Sequence, residues 1–445
     1  MYDPLVSHKT PNNQPYPDSY WVDGLSNIPA HNRLEKTIIT DTVIIGAGYA
    51  GLSCAYHLAK DYGDKAVVLE ANGIGWGCSG RNAGFILPLS GRLGYEALVK
   101  RFGLQTTQNI HREFIAGVDL VEQLISESNA DVERQPNGYL KIAHRPKYFD
   151  QLQHQADYMA KHFGYEVTPL SASQLRQDYV DHHQAHGALL YQQGYGIHPF
   201  KLCLAYYQLA RSQQVDIYSN SPVEHIDFDG KQHTLTTPAG LVKAKNLVIC
   251  SNGYTPNRFH RAVDKRFLPV QTCVIVTRPL SADELKQSNF NSHQVMMDTR
   301  QLKYYYRLLP DNRILFGGRG AISGKQAQSP VYHERLLQGL KQSFPTLNQV
   351  TCDYRWSGWI NVALDDIPHI YQAPNKVFYS AGYCGAGVSF STQAGKRLAQ
   401  KVAGDNQDHN IAMLTSPLPK FPFSPFRRVG QALFYQWGRF HDAWL

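Results

Sequence analysis

The stretch Thr37-Ile38-Ile39-Thr40-Asp41-Thr42-Val43-Ile44-Ile45-Gly46-Ala47-Gly48-Tyr49-Ala50-Gly51 predicts how the fold of this chain begins. Its β-branched run up to Ile45 is typical of a parallel strand buried on both faces. The apolar residues after Gly51 recur at helical spacing, and a second apolar run over residues 66–69 leads to Glu70. The stretch therefore predicts a βαβ unit with its glycines between the first strand and the helix.

The glycines Gly46, Gly48 and Gly51 form a G-x-G-x-x-G pattern, which in this position is typical of a dinucleotide site. The first permits a tight turn, the second lets the backbone approach a pyrophosphate, and the third allows the helix to pack closely on the strand. Glu70 is placed to accept hydrogen bonds from ribose hydroxyls, which favours an adenosine without a 2′-phosphate. The pattern alone leaves NAD and FAD open.

Two further glycine clusters favour FAD. Residues 73–84 contain five glycines, which give a backbone that can pass close to a second part of a large cofactor. Within this cluster, Ser79 can donate to a phosphate and Arg81 can face a phosphate or the flavin ring. Residues 380–387 form the third cluster, and the helical pattern after it predicts a helix start aimed at the pyrimidine end of a flavin. A protein that binds only NAD would not need these two clusters to hold its cofactor.

Composition restricts the class of protein. A chain of 445 residues with 43% apolar residues is long enough for two domains. The net charge of +8 comes from scattered residues rather than a basic stripe, so nucleic acid is not an expected partner. The seven cysteines lack zinc or disulfide spacing, so we expect no metal site and a reducing compartment. A polar, proline-broken N-terminus without a secretory pattern predicts a cytoplasmic protein.

The chain divides into segments of different character. We predict an α/β fold, in which a Rossmann-like FAD-binding domain with a parallel sheet is joined to an α+β substrate domain with an antiparallel sheet. Residues 1–36 form an arm on the surface, residues 37–95, 166–262 and 353–416 form the FAD-binding domain, and residues 96–165 and 263–352 form the substrate domain. Residues 417–445 form an aromatic-rich tail that we expect to pack on its own protein in preference to a membrane or a second subunit.

Several motifs together resemble the D-amino-acid oxidase superfamily of FAD-dependent oxidoreductases. They are the first glycine pattern, Ser79-Gly80-Arg81-Asn82, His198-Pro199, Trp356-Ser357-Gly358 with Asp365-Asp366-Ile367-Pro368, and Gly382-Tyr383-Cys384-Gly385-Ala386-Gly387. Within the superfamily, the chain is most similar to the bacterial γ-glutamylputrescine oxidases, through Ser19-Tyr20-Trp21 and Ser251-Asn252-Gly253-Tyr254-Thr255. The resemblance implies a substrate-domain sheet that covers one face of the flavin.

The resemblance also implies how FAD is held. Val223 matches the family position whose backbone meets the adenine. Members with covalent flavin have a cysteine at the position where this chain has Gly358, and Cys352 lies too far upstream to replace it. The resemblance therefore implies non-covalent FAD. The predicted FAD-binding residues are Gly46, Ala47, Gly48, Tyr49, Ala50, Gly51, Glu70, Ala71, Trp76, Gly77, Cys78, Ser79, Arg81, Asn82, Ala83, Gly84, Val223, Ser251, Asn252, Gly253, Trp356, Gly358, Gly382, Tyr383, Gly385, Ala386, Gly387 and Val388.

The predicted activity is oxidation of a carbon–nitrogen bond in a small amine such as γ-glutamylputrescine. An aromatic wall would lower the amine's pKa, hydride would pass to flavin N5, and the imine would hydrolyse. Oxygen, giving hydrogen peroxide, or another electron acceptor would reoxidise the flavin. The predicted catalytic residues are Tyr304, Tyr306 and Arg307, from a strand of the substrate domain.

Two alternatives remain open at this point. Family members that oxidise simple α-amino acids often hold the carboxylate with an arginine in the third glycine cluster, where this chain has Cys384-Gly385-Ala386. The absence of this arginine favours an amine as the substrate. Arg307 or Arg319 could replace it from the sheet, which would favour an amino acid such as pipecolate or sarcosine as the substrate. A flavin-binding module without turnover is the alternative from another class.

Overall fold

The computed structural model describes residues 2–405 and 411–444 of the chain. Its strands are β1 Thr37–Ile45, β2 Ala66–Leu69, β3 Phe85–Ile86, β4 Tyr139–Ile142, β5 Val167–Ser171, β6 Gly187–Tyr191, β7 Tyr195–Gly196, β8 Asp216–Tyr218, β9 His225–Phe228, β10 His233–Thr236, β11 Leu241–Ile249, β12 Leu268–Thr277, β13 Val295–Asp298, β14 Tyr305–Leu308, β15 Ile314–Arg319, β16 Cys352–Val362, β17 His369–Ala373 and β18 Val377–Ala381. Its α-helices are α1 Tyr49–Tyr62, α2 Tyr95–Phe102, α3 Leu104–Ser128, α4 Pro146–Phe163, α5 Ala172–Asp178, α6 Pro199–Ser212, α7 Ala282–Ser288, α8 Val331–Ser343, α9 Val388–Ala403, α10 Ala412–Thr415 and α11 Arg427–Trp444.

The first sheet has the strand order β17-β18-β11-β1-β2-β8, and β10 and β9 extend antiparallel from β11. Strands β18, β11, β1, β2 and β8 run parallel. Along β1, Ile44 lies in the core formed with α1, α3, α6 and α9, whereas Val43 and Ile45 lie in the core on the opposite face. Burial on both faces explains the continuous apolar run. The predicted Rossmann-like α/β architecture is confirmed.

The second sheet has the strand order β16-β12-β15-β14-β13-β4-β6-β5. Its neighbouring strands are antiparallel except for the parallel pair β13 and β4. Cores of aromatic and aliphatic side chains cover it, with Phe344 among the most deeply buried. Strand β16 extends beside the first sheet, where an isolated bridge joins Val362 to Tyr383. The sheet therefore lies against the third glycine cluster.

The predicted segment boundaries do not follow the sheets. Strands β5 and β6 lie in the second sheet beside β4, and β16 pairs with β12, although residues 166–262 and 353–416 were expected in the FAD-binding domain. Helix α3, expected in the substrate domain, packs on α6 and α9 beside the first sheet. Long-range strand pairing decides these memberships, and local sequence patterns do not report it. Residues 1, 406–410 and 445 of the predicted segments lie outside the described residues.

The N-terminal arm is inserted rather than merely laid on the surface. Trp21 is only 1% exposed, and its indole N–H donates to the carbonyl oxygen of Asn82 at 2.9 Å. Tyr16 donates to the carbonyl oxygen of Ile74 at 2.9 Å. The arm thus packs against the second glycine cluster, because its aromatic residues find partners there.

The C-terminal tail packs on the body through polar groups. Arg428 pairs with Asp3 at 2.7 Å, and Asp442 accepts from the backbone N–H groups of Gln301 and Leu302. The outward side of α11 is apolar and exposes Leu433 and Phe440. Among the described residues, no helix has the length and apolar character needed to cross a membrane.

Candidate functional site

Three glycine-rich segments meet around a cleft of about 1220 Å³, here named the glycine-loop cleft. It lies beyond the carboxyl ends of β1, β2 and β11 and is lined by residues of the turn before α1, the loop after β2 and the turn before α9. In parallel α/β sheets, ligands bind at this edge. The first residues of α1 and α9 both line the cleft, so it receives the positive ends of two helix dipoles.

The turn from β1 to α1 requires its glycines. Gly46 has a φ of +109°, which L side chains rarely adopt, and its N–H donates to the carbonyl oxygen of Leu69. A Cβ on Gly51 would lie 1.9 Å from the carbonyl oxygen of Gly46. The close approach of α1 to β1 therefore excludes any side chain at Gly51, as the sequence predicts.

Glu70 is half-buried and follows the last residue of β2. Its carboxylate accepts the backbone N–H of Ala47 at 2.9 Å and that of Asn72 at 3.0 Å. Burial raises the pKa of Glu70, whereas these backbone donors oppose the rise. The side chain lines the cleft and links the first glycine turn to the second, so it is positioned for ribose hydroxyls while it also fixes the turn.

The second glycine cluster is held in shape by three polar side chains. The hydroxyl of Ser79 accepts the N–H of Tyr49 at 3.0 Å, at the start of α1. Asn82 donates to the carbonyl oxygens of Cys78 and Ser79 and accepts the N–H of Gly84. Arg81 stacks 4.3 Å from the ring centroid of Trp76 and donates to the carbonyl oxygen of that residue at 2.7 Å. The loop is therefore ordered by its own contacts.

The third cluster turns the chain from β18 into α9. Gly382 and Gly385 have φ values of +90° and +97°, and Cys384 between them has a φ of +56°. The first turn of α9 has no acidic residue and begins at Val388, which lines both the cleft and the cavity described next. This helix start can stabilise negative charge on a ligand.

Two amide side chains lining the cleft have polar atoms without partners among the described residues. Both side-chain polar atoms of Asn361 lack a hydrogen bond, although the residue is only 1% exposed, and so does the side-chain oxygen of Asn252. A buried amide without a partner costs roughly 1–3 kcal/mol. A polar ligand in the cleft would satisfy these groups, so the residues present fit FAD.

A second cavity of about 2110 Å³, here named the sheet cavity, lies between the second sheet, α4 and the glycine loops. It shares wall residues with the glycine-loop cleft: Cys78, Asn82, Ile360, Gly385 and Val388. A ligand in the cleft and a ligand in the cavity would therefore meet at this shared wall.

The face of the second sheet that lines the sheet cavity is set by register. Tyr305 on β14 faces Gly317 on β15, and a Cβ on Gly317 would lie 2.1 Å from the Tyr305 ring. The ring also packs on Phe85 at 6.0 Å. The glycine leaves room for the aromatic ring across the strand, which gives the cavity an aromatic wall.

Cationic residues dominate the charge of the sheet cavity. Its lining contains Arg81, Arg92, Lys141, Arg300, Lys303 and Arg319, and none of the described residues that line it is Asp or Glu. Arg92 pairs with Asp366 at 3.5 Å, and Arg300 pairs with Asp298 outside the lining. Arg319 has no hydrogen bond or ion pair to the side chain of another described residue. The cavity therefore favours a ligand with negative charge.

The structure brings most of the predicted cofactor residues together. Those lining the glycine-loop cleft are Gly46, Gly48, Tyr49, Ala50, Glu70, Ala71, Trp76, Gly77, Cys78, Ser79, Asn82, Val223, Ser251, Asn252, Tyr383, Gly385, Gly387 and Val388. Four others line only the sheet cavity, namely Arg81, Ala83, Gly358 and Ala386.

Six predicted cofactor residues line neither cavity, namely Ala47, Gly51, Gly84, Gly253, Trp356 and Gly382. They form backbone behind the walls, and their part in binding the cofactor stays a prediction. A Cβ on Gly253 would meet the carbonyl oxygen of Trp359 at 2.5 Å, and the indole of Trp356 donates to the carbonyl oxygen of Arg81.

None of the three predicted catalytic residues lines the sheet cavity. Tyr306 is fully buried on the opposite face of the second sheet, stacked on Phe316 at 5.4 Å, and Tyr304 contacts the same ring at 5.0 Å. Arg307 shares the face of Tyr305 but lies beneath the loop, where it donates to the carbonyl oxygen of Ile197 at 2.6 Å and to Gln135. Burial lowers the pKa of Arg307 to about 9. Tyr305 lines the cavity instead.

Sequence reasoning missed several lining residues. Asn361, Lys141 and Lys303 are polar residues within or beside apolar strands. A polar residue in an apolar strand is a signal that could have drawn attention to them. Tyr254, whose ring meets that of Trp76 edge to face at 5.4 Å, follows the predicted Ser251-Asn252-Gly253 segment directly.

The comparisons with known proteins agree with this geometry. A family model described as FAD dependent oxidoreductase, DAO, matches residues 41–401. The chain belongs to this family. It is 31% identical over 428 residues to the γ-glutamylputrescine oxidoreductase of Escherichia coli K12, which covers 94% of this chain and 97% of that protein. It is 23% identical to the glycine oxidase of Bacillus subtilis, over 83% of this chain and 95% of that one.

Solved structures share the fold of this FAD-dependent oxidoreductase. The glycine oxidase of Geobacillus kaustophilus superposes with a TM-score of 0.68 at 20% identity and covers 83% of this chain and 96% of its own. The L-proline dehydrogenase of P. horikoshii superposes with a TM-score of 0.69 at 16% identity and covers 84% and 96%. FAD is therefore the cofactor of this chain, and the fold prediction is confirmed.

Proposed function

We propose that this protein oxidises the carbon–nitrogen bond of an amine, with γ-glutamylputrescine as the substrate. The observation that carries the proposal is the wall shared by the glycine-loop cleft and the sheet cavity. A substrate in the cavity and a cofactor in the cleft would both contact Gly385 and Ile360. The 31% identity to an E. coli γ-glutamylputrescine oxidoreductase supports the choice of amine.

The residues of the glycine-loop cleft fit non-covalent FAD. The start of α1 and Ser79 suit the pyrophosphate, Glu70 suits the ribose, and the start of α9 suits the pyrimidine end of the flavin. Cys352 lies six residues before Gly358 along β16, about 20 Å away in an extended strand, so it is too distant to attach to a flavin there.

The sheet cavity favours a neutral amine. Its lining combines aromatic rings, such as Tyr305 and Phe85, with cationic groups and no carboxylate among the described residues. Protonation of an amine there would add charge to an already positive, partly apolar site, so its pKa falls. FAD, when bound, supplies the acceptor for a hydride from the carbon beside that nitrogen. Water hydrolyses the resulting imine to an aldehyde and ammonium, and oxygen would accept the two electrons taken from the amine, with two protons, to give hydrogen peroxide.

One observation favours a second candidate, an amino-acid oxidase or dehydrogenase acting on pipecolate, sarcosine or a similar compound. Arg319 lines the sheet cavity without an acidic partner and lies two strands from Gly358, in register with Thr272. At a strand spacing of about 4.8 Å, its Cα is about 10 Å from Gly358. This is close enough for its long side chain to hold the carboxylate of a small amino acid.

Anaerobic titration of the purified yellow protein tests these assignments. The flavin absorbance band should bleach rapidly with γ-glutamylputrescine and slowly or not at all with putrescine, sarcosine and pipecolate. Bleaching by pipecolate or sarcosine alone would support the amino-acid candidate. Yellow protein that resists all four compounds would contradict both and favour a flavin-binding module without turnover.

A further inference from the structure

Two lysines lie on the cavity-facing side of the second sheet, beyond Tyr305. Lys141 on β4, Met297 on β13 and Tyr305 on β14 form one cross-strand row, because Met297 pairs with both of the others. Lys303 lies two residues before Tyr305, beside Arg319 at the end of β15. Side chains two residues apart in an extended segment share a face. All of these residues line the sheet cavity.

The lysines lie far from the glycine loops. Gly358 on β16 is in register with Thr272 on β12, and Thr272 is in register with Arg319 on β15. Lys303, at the start of the next strand, is three strands from Gly358, or about 14 Å at the usual strand spacing. Lys141 on β4 is five strands from β16. A ligand that reaches both ends of the cavity must therefore be long.

These lysines lack the acidic partners that Arg92 and Arg300 have. Lys141 donates to the neutral side chain of Gln155 at 3.1 Å, and Lys303 has no hydrogen bond or ion pair from its ammonium to another described residue. By contrast, Arg92 and Arg300 each face an aspartate. Two ammonium groups with no counter-ion in one cavity are unfavourable until an anion joins them.

We propose that Lys303 and Lys141 form a carboxylate-binding subsite at the far end of the sheet cavity, which selects amines that carry a carboxylate remote from the reacting nitrogen. This inference rests on the proposed function, because that function places the reacting amine at the shared wall. The carboxylate of the same substrate would then lie at the lysines. A γ-glutamyl amine has this form, and its carboxylate offsets its neighbouring α-ammonium, whereas a free diamine would place a second ammonium among cations without a carboxylate to offset it.

The pKa values of the two lysines are consistent with a site that favours an anion. Burial, followed by the charges of Arg319 and Arg92, lowers the pKa of Lys303 to about 8, against the opposing influence of Asp298 and Asp366. Burial and Lys303 lower the pKa of Lys141 to about 8. A bound carboxylate favours the protonated lysines and would raise their pKa.

A binding experiment with ligands that cannot be oxidised separates this subsite from the proposed reaction. Calorimetry on the FAD-loaded enzyme at pH 7 should show binding of the mono-n-butylamide of glutaric acid, which has a carboxylate but no amine, and about 10- to 100-fold weaker binding of N-butylbutanamide, which lacks only the carboxylate. Lys303→Met should remove this preference, Lys303→Arg should restore part of it, and the exposed control Lys231→Met should leave it unchanged. Equal affinity of the two ligands for the wild type would overturn the proposal.

Kinetics then test selection during turnover. Lys303→Met should lower kcat/KM for γ-glutamylputrescine about 10- to 100-fold, mainly through KM, and leave kcat/KM for N-acetylputrescine within about twofold, because that amine lacks the carboxylate. An equal loss for both amines would overturn the subsite. If neither amine reduces the flavin of the wild type, the proposed function fails, and the calorimetric preference still decides whether the lysines bind carboxylate.

Discussion

The glycine-loop cleft and the sheet cavity share a wall but are built differently. The cleft consists mainly of backbone from short continuous segments, in which glycines at fixed spacing determine the turns. The cavity is lined by side chains from strands that are distant in sequence, for example Lys141, Thr272 and Tyr305. A backbone site is therefore specified locally, whereas a side-chain site depends on which strands pair and in which register.

If the cleft depends on backbone geometry, its most sensitive point is Gly51. Gly51→Ala places a Cβ 1.9 Å from the carbonyl oxygen of Gly46, so the turn must open and the start of α1 must move. We expect FAD affinity to fall at least about 100-fold, to a colourless protein, measured from the absorbance of released flavin. Gly430→Ala is the matched control, since nothing lies within 4 Å of its added methyl group. A yellow Gly51→Ala protein with unchanged FAD affinity would contradict the conclusion that backbone geometry specifies the cleft.

Neighbouring tyrosines on β14 test whether the sheet cavity depends on register. Tyr305→Ala removes a wall of the cavity and should slow flavin bleaching by γ-glutamylputrescine about tenfold or more while the melting temperature changes little. Tyr306→Ala removes a fully buried ring and should lower the free energy of unfolding by about 3–5 kcal/mol while the folded enzyme still reacts. Anaerobic stopped-flow and denaturant unfolding measure the two effects, and an exchange of the two phenotypes would show that the face assignment is wrong.

Asn361 tests whether side chains also contribute to the cleft. Its amide has no partner among the described residues, so FAD can supply one. Asn361→Ala should weaken FAD binding by up to about tenfold, the value of one hydrogen bond, without loss of the fold. Flavin fluorescence quenching on titration into apoprotein measures the affinity. Asn246→Ala, which instead removes a bond to Thr42 on β1, should leave the affinity unchanged.

The smallest expected effect concerns pH and the stability of the ligand-free enzyme. The pKa of Lys303 in the folded protein is about 8, below the value of about 10.4 expected when unfolded. Its charge therefore lowers stability fully below pH 8, and the cost diminishes as pH rises from 8 towards 10.4. Lys303→Met should be more stable than the wild type by on the order of 1 kcal/mol at pH 7, with a smaller difference at pH 9.5. Chemical unfolding at both pH values measures the stability difference between Lys303→Met and the wild type. A difference that does not change with pH would count against an uncompensated charge on Lys303.

Prediction from sequence succeeded where the signal was local. The strand, the turn and the helix around Gly46 to Gly51 form as expected, and 18 of the predicted cofactor residues line the cleft that FAD would occupy. Prediction was less successful on β14, where an offset of one residue moves a side chain to the other face of the sheet. Tyr304 and Tyr306 were assigned to the cavity, yet the pairing of Tyr305 with Gly317 puts Tyr305 there. Strand alternation predicted two faces but not which one meets the cavity.

The sequence by itself determined the Rossmann-like unit, the glycine turns and the FAD-dependent class, because each depends on residue types at short, fixed spacing. Only the tertiary structure decided that β5, β6 and β16 belong to the second sheet, that Trp356 and Arg307 support the loop from behind, and that the lysines of the sheet cavity lie together. The physical reason is that strand pairing joins residues distant along the chain, and burial rather than local preference selects among the possible pairings.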